Sequence, residues 1–244
     1  MAIGMNNFHK KSFYAYGRKP YDLKMKTIQN CIFACDIEPS AVDIAKLRLW
    51  LSIVIDDEIT EDAGNGEFDA HTKPRPLPNL DCNIICGNSL VDEFKGVKLI
   101  KESFLLNNVS LNSQITVFQS GVDSLIEKLI SLQDELFFTK EHTEKSELKK
   151  EIQEIYNQII LEQISGSPEL VDSYYECLRE PSSPFIFWQL YFPQVFKNNK
   201  GFDIVIGNPP YVNIVNLESG IREYLQKHYV ITKNKVDLYA YFVE

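Results

Sequence analysis

Short apolar runs alternate with amphipathic stretches in the first third of the chain. The run at residues 31–35 ends at Asp36, and Pro39 then suits the first turn of a helix. Residues 40–56 have apolar positions near one helical stripe, with Lys46 and Arg48 facing away. A second short run follows at 82–86, so the order of strand, helix and strand predicts a βαβ unit with a parallel sheet. The helical stripe consists of Val42, Ala45, Leu49 and Val54.

The pattern changes between about residues 120 and 180, where apolar residues recur at helical spacing on both sides of the polar link "TKEHTEKS". This predicts a helical hairpin inserted into an α/β domain. The expected division is a first core part over 1–100, a helical insertion over 101–184 and a second core part over 185–244. The apolar positions are Leu125, Leu129, Leu132, Leu136, Ile152, Ile155 and Ile159.

The last part of the chain returns to strand-like apolar runs. Residues 185–196 are rich in aromatic side chains and are expected to pack on the sheet. Residues 202–206 predict a third buried strand, which ends in "GNPPY". A helix over 216–229, a polar loop over 230–236 and the start of another helix are predicted after it.

Composition limits the classes of protein that fit. A chain of 244 residues with 44% hydrophobic content matches one α/β domain, or one domain with an insertion. The sequence has no apolar run of membrane-spanning length and no signal peptide at its start, which favours the cytoplasm. The net charge of −9 is unusual for a dedicated nucleic-acid-binding domain, so contacts to phosphate would need a local basic patch or further segments.

Cysteine spacing leaves two interpretations. The chain has five cysteines, an odd number, which argues against a disulfide framework. The two C-x-x-x-C pairs, Cys31 with Cys35 and Cys82 with Cys86, could form a tetrathiolate zinc site. Free cysteines are more often small buried side chains, and we favour that interpretation for these pairs and for Cys177.

A nuclease-like fragment also occurs in the predicted hairpin. Glu147-Leu148-Lys149 matches the E-x-K element of some nucleases. A solvated face of a charged helix explains the same residues better, since so short a motif recurs freely.

The segment Asn208-Pro209-Pro210-Tyr211 is the strongest chemical signal. Two prolines fix the backbone and remove two N–H donors. The Asn208 amide oxygen and the Pro209 carbonyl could then hold an exocyclic amine of a base and make its lone pair available. Tyr211 could stack on that base, which would have to be flipped out of a duplex. The alternative is a proline-rich turn in which Asn208 forms an Asx turn.

Polar residues also follow the other two predicted strands. An acid at the end of a strand, such as Asp36, can accept hydrogen bonds from ribose hydroxyls, although an N-cap role is the alternative. Asn88 can hydrogen-bond an adenine edge, or be a turn residue beside Gly87. Ligands bind at the carboxyl ends of strands in open α/β sheets, so the convergence of three such residues there favours a ligand site.

Together, "CDIEPSAVDIAKLRLWLSIVID", "ICGNSL", "FWQLYFPQVF" and "FDIVIGNPPYV" resemble the N6-adenine DNA methyltransferase domain of type IIG/IIS restriction–modification enzymes. The resemblance implies a Rossmann-like sheet that binds S-adenosylmethionine, here incomplete, with the helical hairpin inserted. It implies that Asp36 binds the cofactor ribose and that Ile37, Asn88 and Ser89 lie near its adenine. The catalytic loop of the family is matched by Asn208, Pro209, Pro210 and Tyr211. Asn208 is also expected to contact the cofactor. Direct attack of adenine N6 on the methyl group needs no nucleophilic cysteine.

The sequence departs from this family at one point. It has no G-x-G turn before Asp36, where the family has a glycine-rich cofactor loop, and it stops within the helix after "DLYAYF". We therefore expect a fragment that binds the cofactor weakly and is inactive alone. Double-stranded DNA is the implied partner, with target recognition and any fused nuclease outside these residues. Within them, Lys233 and Lys235 are the best candidates for phosphate contacts, although ordinary surface lysines are slightly favoured.

Two rival functions remain on the sequence alone. Glutamine methyltransferases that act on release factors also use an NPPY-type loop, but the long helical insertion argues against them. A non-catalytic scaffold, with the hairpin as an interaction arm, would explain the lack of a glycine-rich turn.

Overall fold

The protein is a mixed α/β structure with a small parallel sheet. The computed structural model describes residues 20–56, 76–98, 117–199, 201–230 and 237–243. Its elements, in chain order, are α1 (Pro20–Cys31), β1 (Ala34–Asp36), α2 (Pro39–Val54), β2 (Ile84–Cys86), α3 (Val117–Phe138), α4 (His142–Ile164), α5 (Pro168–Cys177), α6 (Trp188–Tyr191), α7 (Pro193–Asn199), a 3₁₀ turn (Ile214–Asn216), α8 (Ser219–His228) and a second 3₁₀ turn (Leu238–Phe242).

The predicted βαβ unit is present. β1 and β2 pair in parallel, with Ala34 opposite Ile84 and Asp36 opposite Cys86, and α2 connects them in the chain. Pro39 begins α2, and its missing N–H costs nothing there because the first helical N–H groups have no partner inside the helix.

The predicted stripe of α2 is partly wrong. Val42 is buried, and Ala45 and Leu49 pack against the cluster around the sheet, as expected. Val54 is 52% exposed, whereas the ammonium of Lys46 lies 2.6 Å from Asp81. Lys46 therefore faces the chain before β2 and not solvent.

The predicted third strand is wrong in the structure. Residues 202–206 belong to no strand, and Ile204, Val205 and Ile206 are each more than three-quarters exposed. In the described part of the chain, β1 pairs with β2 alone. The apolar run therefore has no adjacent strand with which to share hydrogen bonds, and hydrophobicity alone does not form one.

The two long helices of the predicted hairpin are present as α3 and α4. Their facing side chains form the largest cluster of buried residues, which also includes Tyr174 of α5 and the aromatic segment that follows. Leu129 and Ile160 are completely buried in it. The segment 185–196 is buried, but it packs only partly on the sheet: Phe185 and Phe187 lie in the α3/α4 cluster, and Phe192 packs on Phe33, the residue before β1. The division into three domain segments stays a prediction.

Asp81 and two lysines link the hairpin to α2 and to the chain before β2. Asp81, just before β2, accepts from Lys46 of α2 and from Lys149 of α4. Burial alone would raise the Asp81 pKa, but the hydrogen bonds from Lys149 and Lys46 outweigh it and bring the pKa from 3.8 to about 2. Lys149 thus has a structural partner. Glu147 is exposed, and residues two apart point to different sides of a helix, so the E-x-K residues do not converge.

The cysteines differ from the expected buried pairs. Cys31 is the last residue of α1 and is exposed, and Cys82 lies in the turn before β2. The remaining thiols, like Cys82, are partly buried. Among the described residues, no group of three or more His, Cys, Asp and Glu side chains is placed to hold a metal ion. No helix in the same residues has the length and hydropathy needed to span a membrane.

Candidate functional site

The carboxyl ends of β1 and β2 bring two of the predicted site residues together. Asp36 is the last residue of β1 and lies opposite Cys86. The amide of Gly87 then donates to the Asp36 carbonyl at 2.9 Å, which extends the pairing by one step. Asn88 and Ser89 follow directly. The acid and the amide predicted to face one ligand therefore lie on adjacent strand ends.

Asp36 has an exposed side chain that shapes the turn before α2. Its Oδ1 accepts from the amide of Glu38 at 2.9 Å, whereas the cap residue of the helix is Glu38 itself. The structure thus favours a turn-forming acid over the alternative N-cap. Oδ2 of Asp36 makes no hydrogen bond to any described residue, so it can accept from a ligand. Ile37 is 61% exposed beside it and offers an apolar surface.

Asn88 is half-buried, and both its backbone amide and its side-chain oxygen make hydrogen bonds. Its backbone amide donates to the Ser183 carbonyl at 2.9 Å, and its Oδ1 accepts from the Leu90 amide at 3.2 Å. The turn role considered from the sequence is therefore present. The side-chain Nδ2 donates to no described residue and remains available to an acceptor on a ligand.

The segment after the hairpin braces this site through specific hydrogen bonds that the sequence pattern does not predict. Ser183 forms a parallel bridge with Gly87, and the indole N–H of Trp188 donates to the Ser89 carbonyl at 3.3 Å. The Ile186 amide donates to the Val91 carbonyl at 2.8 Å. The aromatic run "PFIFW" predicts packing on the sheet, but not which residues are contacted.

The NPPY segment lies at the surface. Asn208 and Pro210 are exposed, Pro209 is half-buried, and Tyr211 is 81% exposed. The Tyr211 ring lies 5.5 Å from the Tyr239 ring, centre to centre. The Asn208 amide and the Tyr211 ring are therefore open to solvent, not enclosed in packed core.

Contacts on both sides of the NPPY segment attach it to the rest of the structure, at Phe202 before it and at Val212 after it. Phe202 packs on Phe33, the residue before β1, with ring centres 6.1 Å apart, and on Trp188 at 5.9 Å. At the other end, the Leu238 amide donates to the Val212 carbonyl at 2.7 Å. No hydrogen bond or ring contact among the described residues joins the NPPY segment to Asp36 or Asn88. Lys233 and Lys235 lie outside the described residues.

Cys35, the middle residue of β1, is a poor nucleophile. Burial, together with the neighbouring Cys86 and Asp36, raises the pKa of Cys35 to about 12. Its Sγ donates to the Gly87 carbonyl at 3.2 Å. The thiol therefore stays protonated at neutral pH and contributes to holding the two strand ends together.

Comparisons with protein-family models and with known proteins each found a match. A protein of Methanocaldococcus jannaschii, named as a type II restriction enzyme and methyltransferase, is 28% identical over 253 aligned residues. That alignment covers 85% of this chain and 20% of the relative, so the chain spans about a fifth of the relative's length. No solved structure matches the chain. The Eco57I restriction-modification methylase family matches residues 30–244, and the chain therefore belongs to that family.

Proposed function

We propose that the chain is the methyltransferase part of a DNA adenine-N6 methyltransferase in a restriction–modification system. The observation that carries the proposal is the adjacency of Asp36 and Asn88 at the ends of two parallel strands, in a chain of a restriction-modification methylase family. The Rossmann-like sheet implied by the resemblance belongs to the same proposal.

The residues at the strand ends fit S-adenosylmethionine. The Asp36 carboxylate has one oxygen without a partner among the described residues and would accept from the ribose hydroxyls. Ile37 would contact one face of the adenine, and Asn88 and Ser89 would lie at its edge. When bound, S-adenosylmethionine supplies an electrophilic methyl group.

The NPPY segment would hold the target base. The Asn208 side-chain oxygen and the Pro209 carbonyl would accept from the two N–H groups of the adenine amine. With both N–H groups held, the nitrogen lone pair would be less delocalised into the ring and would attack the methyl carbon as its bond to sulfur breaks, and one N–H proton would then be lost to solvent. Tyr211, which is exposed, has a free ring face for stacking on a flipped base.

Double-stranded DNA is the substrate in this proposal, and target recognition and any nuclease would be provided outside these residues. The M. jannaschii relative, much longer and named as both restriction enzyme and methyltransferase, supports a fused arrangement.

The test is transfer of a labelled methyl group from S-adenosylmethionine to duplex DNA by the gene product in which this chain occurs. After hydrolysis to nucleosides, the label should be in N6-methyladenine. Replacing Asn208 by Ala should lower the rate by about a hundredfold or more, the usual cost of losing one oriented polar group at a reacting atom. Asn216→Ala, an exposed amide in the following 3₁₀ turn, is the matched control and should keep full activity.

Two results would contradict the proposal. Label in cytosine N4, or in a release-factor glutamine with none in DNA, would assign a different substrate. Full activity of Asn208→Ala would remove the proposed catalytic role of the segment.

A further inference from the structure

A polar cavity opens beside the strand ends, on the side towards α8. Its volume is about 350 Å³, and its walls come from the chain after β2, from α6 and from the end of α8. The lining residues are Ser89, Leu90, Asp92, Glu93, Lys98, Trp188, Tyr224, His228 and Tyr229. The methyl-transfer proposal assigns Ser89 alone among them a role.

Two adjacent carboxylates dominate its chemistry. Asp92 accepts from the Tyr224 hydroxyl at 2.7 Å, and Lys98 lies 3.6 Å from its other oxygen. The Glu93 side chain is only 11% exposed, and its Oε2 is buried with no hydrogen-bond partner in the described part of the chain. An acceptor buried without a partner is costly, and turning this carboxylate towards an N–H donor in the cavity would remove that cost.

The imidazole of His228 adds to this demand for a donor. Its Nδ1 lies 2.9 Å from the Tyr224 carbonyl, which can only accept, so this nitrogen carries the proton. Its Nε2 then faces Glu93 Oε1 at 3.2 Å. In this tautomer Nε2 and Oε1 are both acceptors, and an N–H-rich cation beside them can donate to each.

Aromatic side chains complete the walls. The indole N–H of Trp188 and the hydroxyl of Tyr229 both donate to backbone carbonyls, those of Ser89 and Leu90. What these side chains offer to the cavity is therefore ring surface, which attracts cations.

The charge and ligand set exclude other classes. Two carboxylates against one ammonium repel an anion such as phosphate. The described residues hold no group of His, Cys, Asp and Glu side chains suited to a metal. We propose that this cavity binds a small alkylammonium ligand, a primary amine whose N–H groups donate to Glu93 and whose methylene groups pack on Trp188 and Tyr229.

The test uses putrescine and 1,4-butanediol, which share one carbon chain and differ in charge. Isothermal titration of the 244-residue chain should show saturable binding of putrescine and none of the diol. Equal binding of both, or of neither, would overturn the proposal. A second titration uses Nα-acetyl-lysine amide, whose side-chain amine is free. If it binds more tightly than putrescine, the amine belongs to a protein side chain rather than to a free polyamine.

Variants locate the site. Glu93→Gln should weaken putrescine binding by about tenfold or more, the loss expected for a charged hydrogen bond. Glu223→Gln on α8 removes the same charge from an exposed position and should leave the affinity unchanged.

Lys98→Gln removes the competing internal ammonium and should tighten binding. Equal affinities for all three would place the amine elsewhere and overturn the proposal. If Glu93→Gln does not fold, the proposal is still tested by the expected gain in putrescine affinity of Lys98→Gln and by the comparison of putrescine with 1,4-butanediol.

Discussion

Gly87 has no room for a side chain. A Cβ there would lie 2.5 Å from Cδ1 of Ile186 and 3.1 Å from the Ser183 carbonyl oxygen. Ile186 is 1% exposed, so it cannot rotate away without disturbing the packing around it. The absence of a side chain is what lets residue 183 approach the end of β2.

We therefore expect Gly87→Ala to lower the free energy of unfolding by about 1–3 kcal/mol, the usual cost of overpacking. Urea unfolding measures it. Gly166→Ala, where the added Cβ meets nothing within 4 Å, is the control and should change little. Adding Ile186→Val, which removes Cδ1, should recover part of the loss. Equal stability of the two single variants would show that the close approach does not occur.

Individual residues were predictable where a local signal marked them. Asp36 and Asn88 each follow a short apolar run, and the parallel pairing of β1 with β2 places both at one edge, as expected. The predicted convergence with Asn208 is not seen, because residues 202–206 form no strand. The contacts of Ser183 could not be predicted, because its partner is distant in sequence and no periodicity links the two. The roles of Asn208 and Tyr211 stay predictions.

At the scale of elements, residues 202–206 show the limit of pattern-based prediction. The same apolar sequence is compatible with a buried strand and with an exposed segment. Which of the two forms depends on whether a neighbouring strand is present to pair with it. α3 and α4 were predictable because a long helix satisfies its own backbone and needs only an apolar face.

The exposure of this segment predicts the effect of polar substitutions. Ile204→Ser combined with Ile206→Ser should leave the melting temperature unchanged, because both side chains are 78% exposed, and should reduce light scattering at high protein concentration. Ile160→Ser, at a completely buried position in α4, is the contrasting variant and should lower the melting temperature strongly. A large loss of stability in the double variant would mean that the segment packs in solution.

The Asp81 link between α2, α4 and the sheet predicts a pH dependence. Its pKa is lowered from 3.8 to about 2 on folding, so its contribution is fully present above pH 3.8 and is lost as the pH falls towards 2. The stability difference between the protein and Asp81→Asn should thus narrow over that interval. Urea midpoints measured at several pH values test this, with the exposed Asp172→Asn as the control. A difference that stays constant with pH would contradict the lowered pKa.

At the scale of the whole molecule, the sequence before Asp36 predicts weak cofactor binding by the 244-residue chain. Residues 1–35 contain no G-x-G turn to supply backbone N–H groups to the cofactor. Titration of the chain with S-adenosylmethionine should therefore give an affinity weaker than micromolar. Within that weak range, Asp36→Ala should bind less well than Asp43→Ala, its exposed neighbour on α2. Micromolar affinity would contradict this prediction.

The hydrogen bond from Asn88 to Ser183 has a consequence for the order of folding. The two residues are separated by the whole helical hairpin, so this end of β2 is completed only after a long loop has closed. During synthesis, residue 183 must leave the ribosome before the hydrogen bond at the end of β2 can form. The hairpin can form earlier, because its contacts are local in sequence. Substitutions that slow hairpin formation should delay the appearance of a competent site even when the final stability is unchanged.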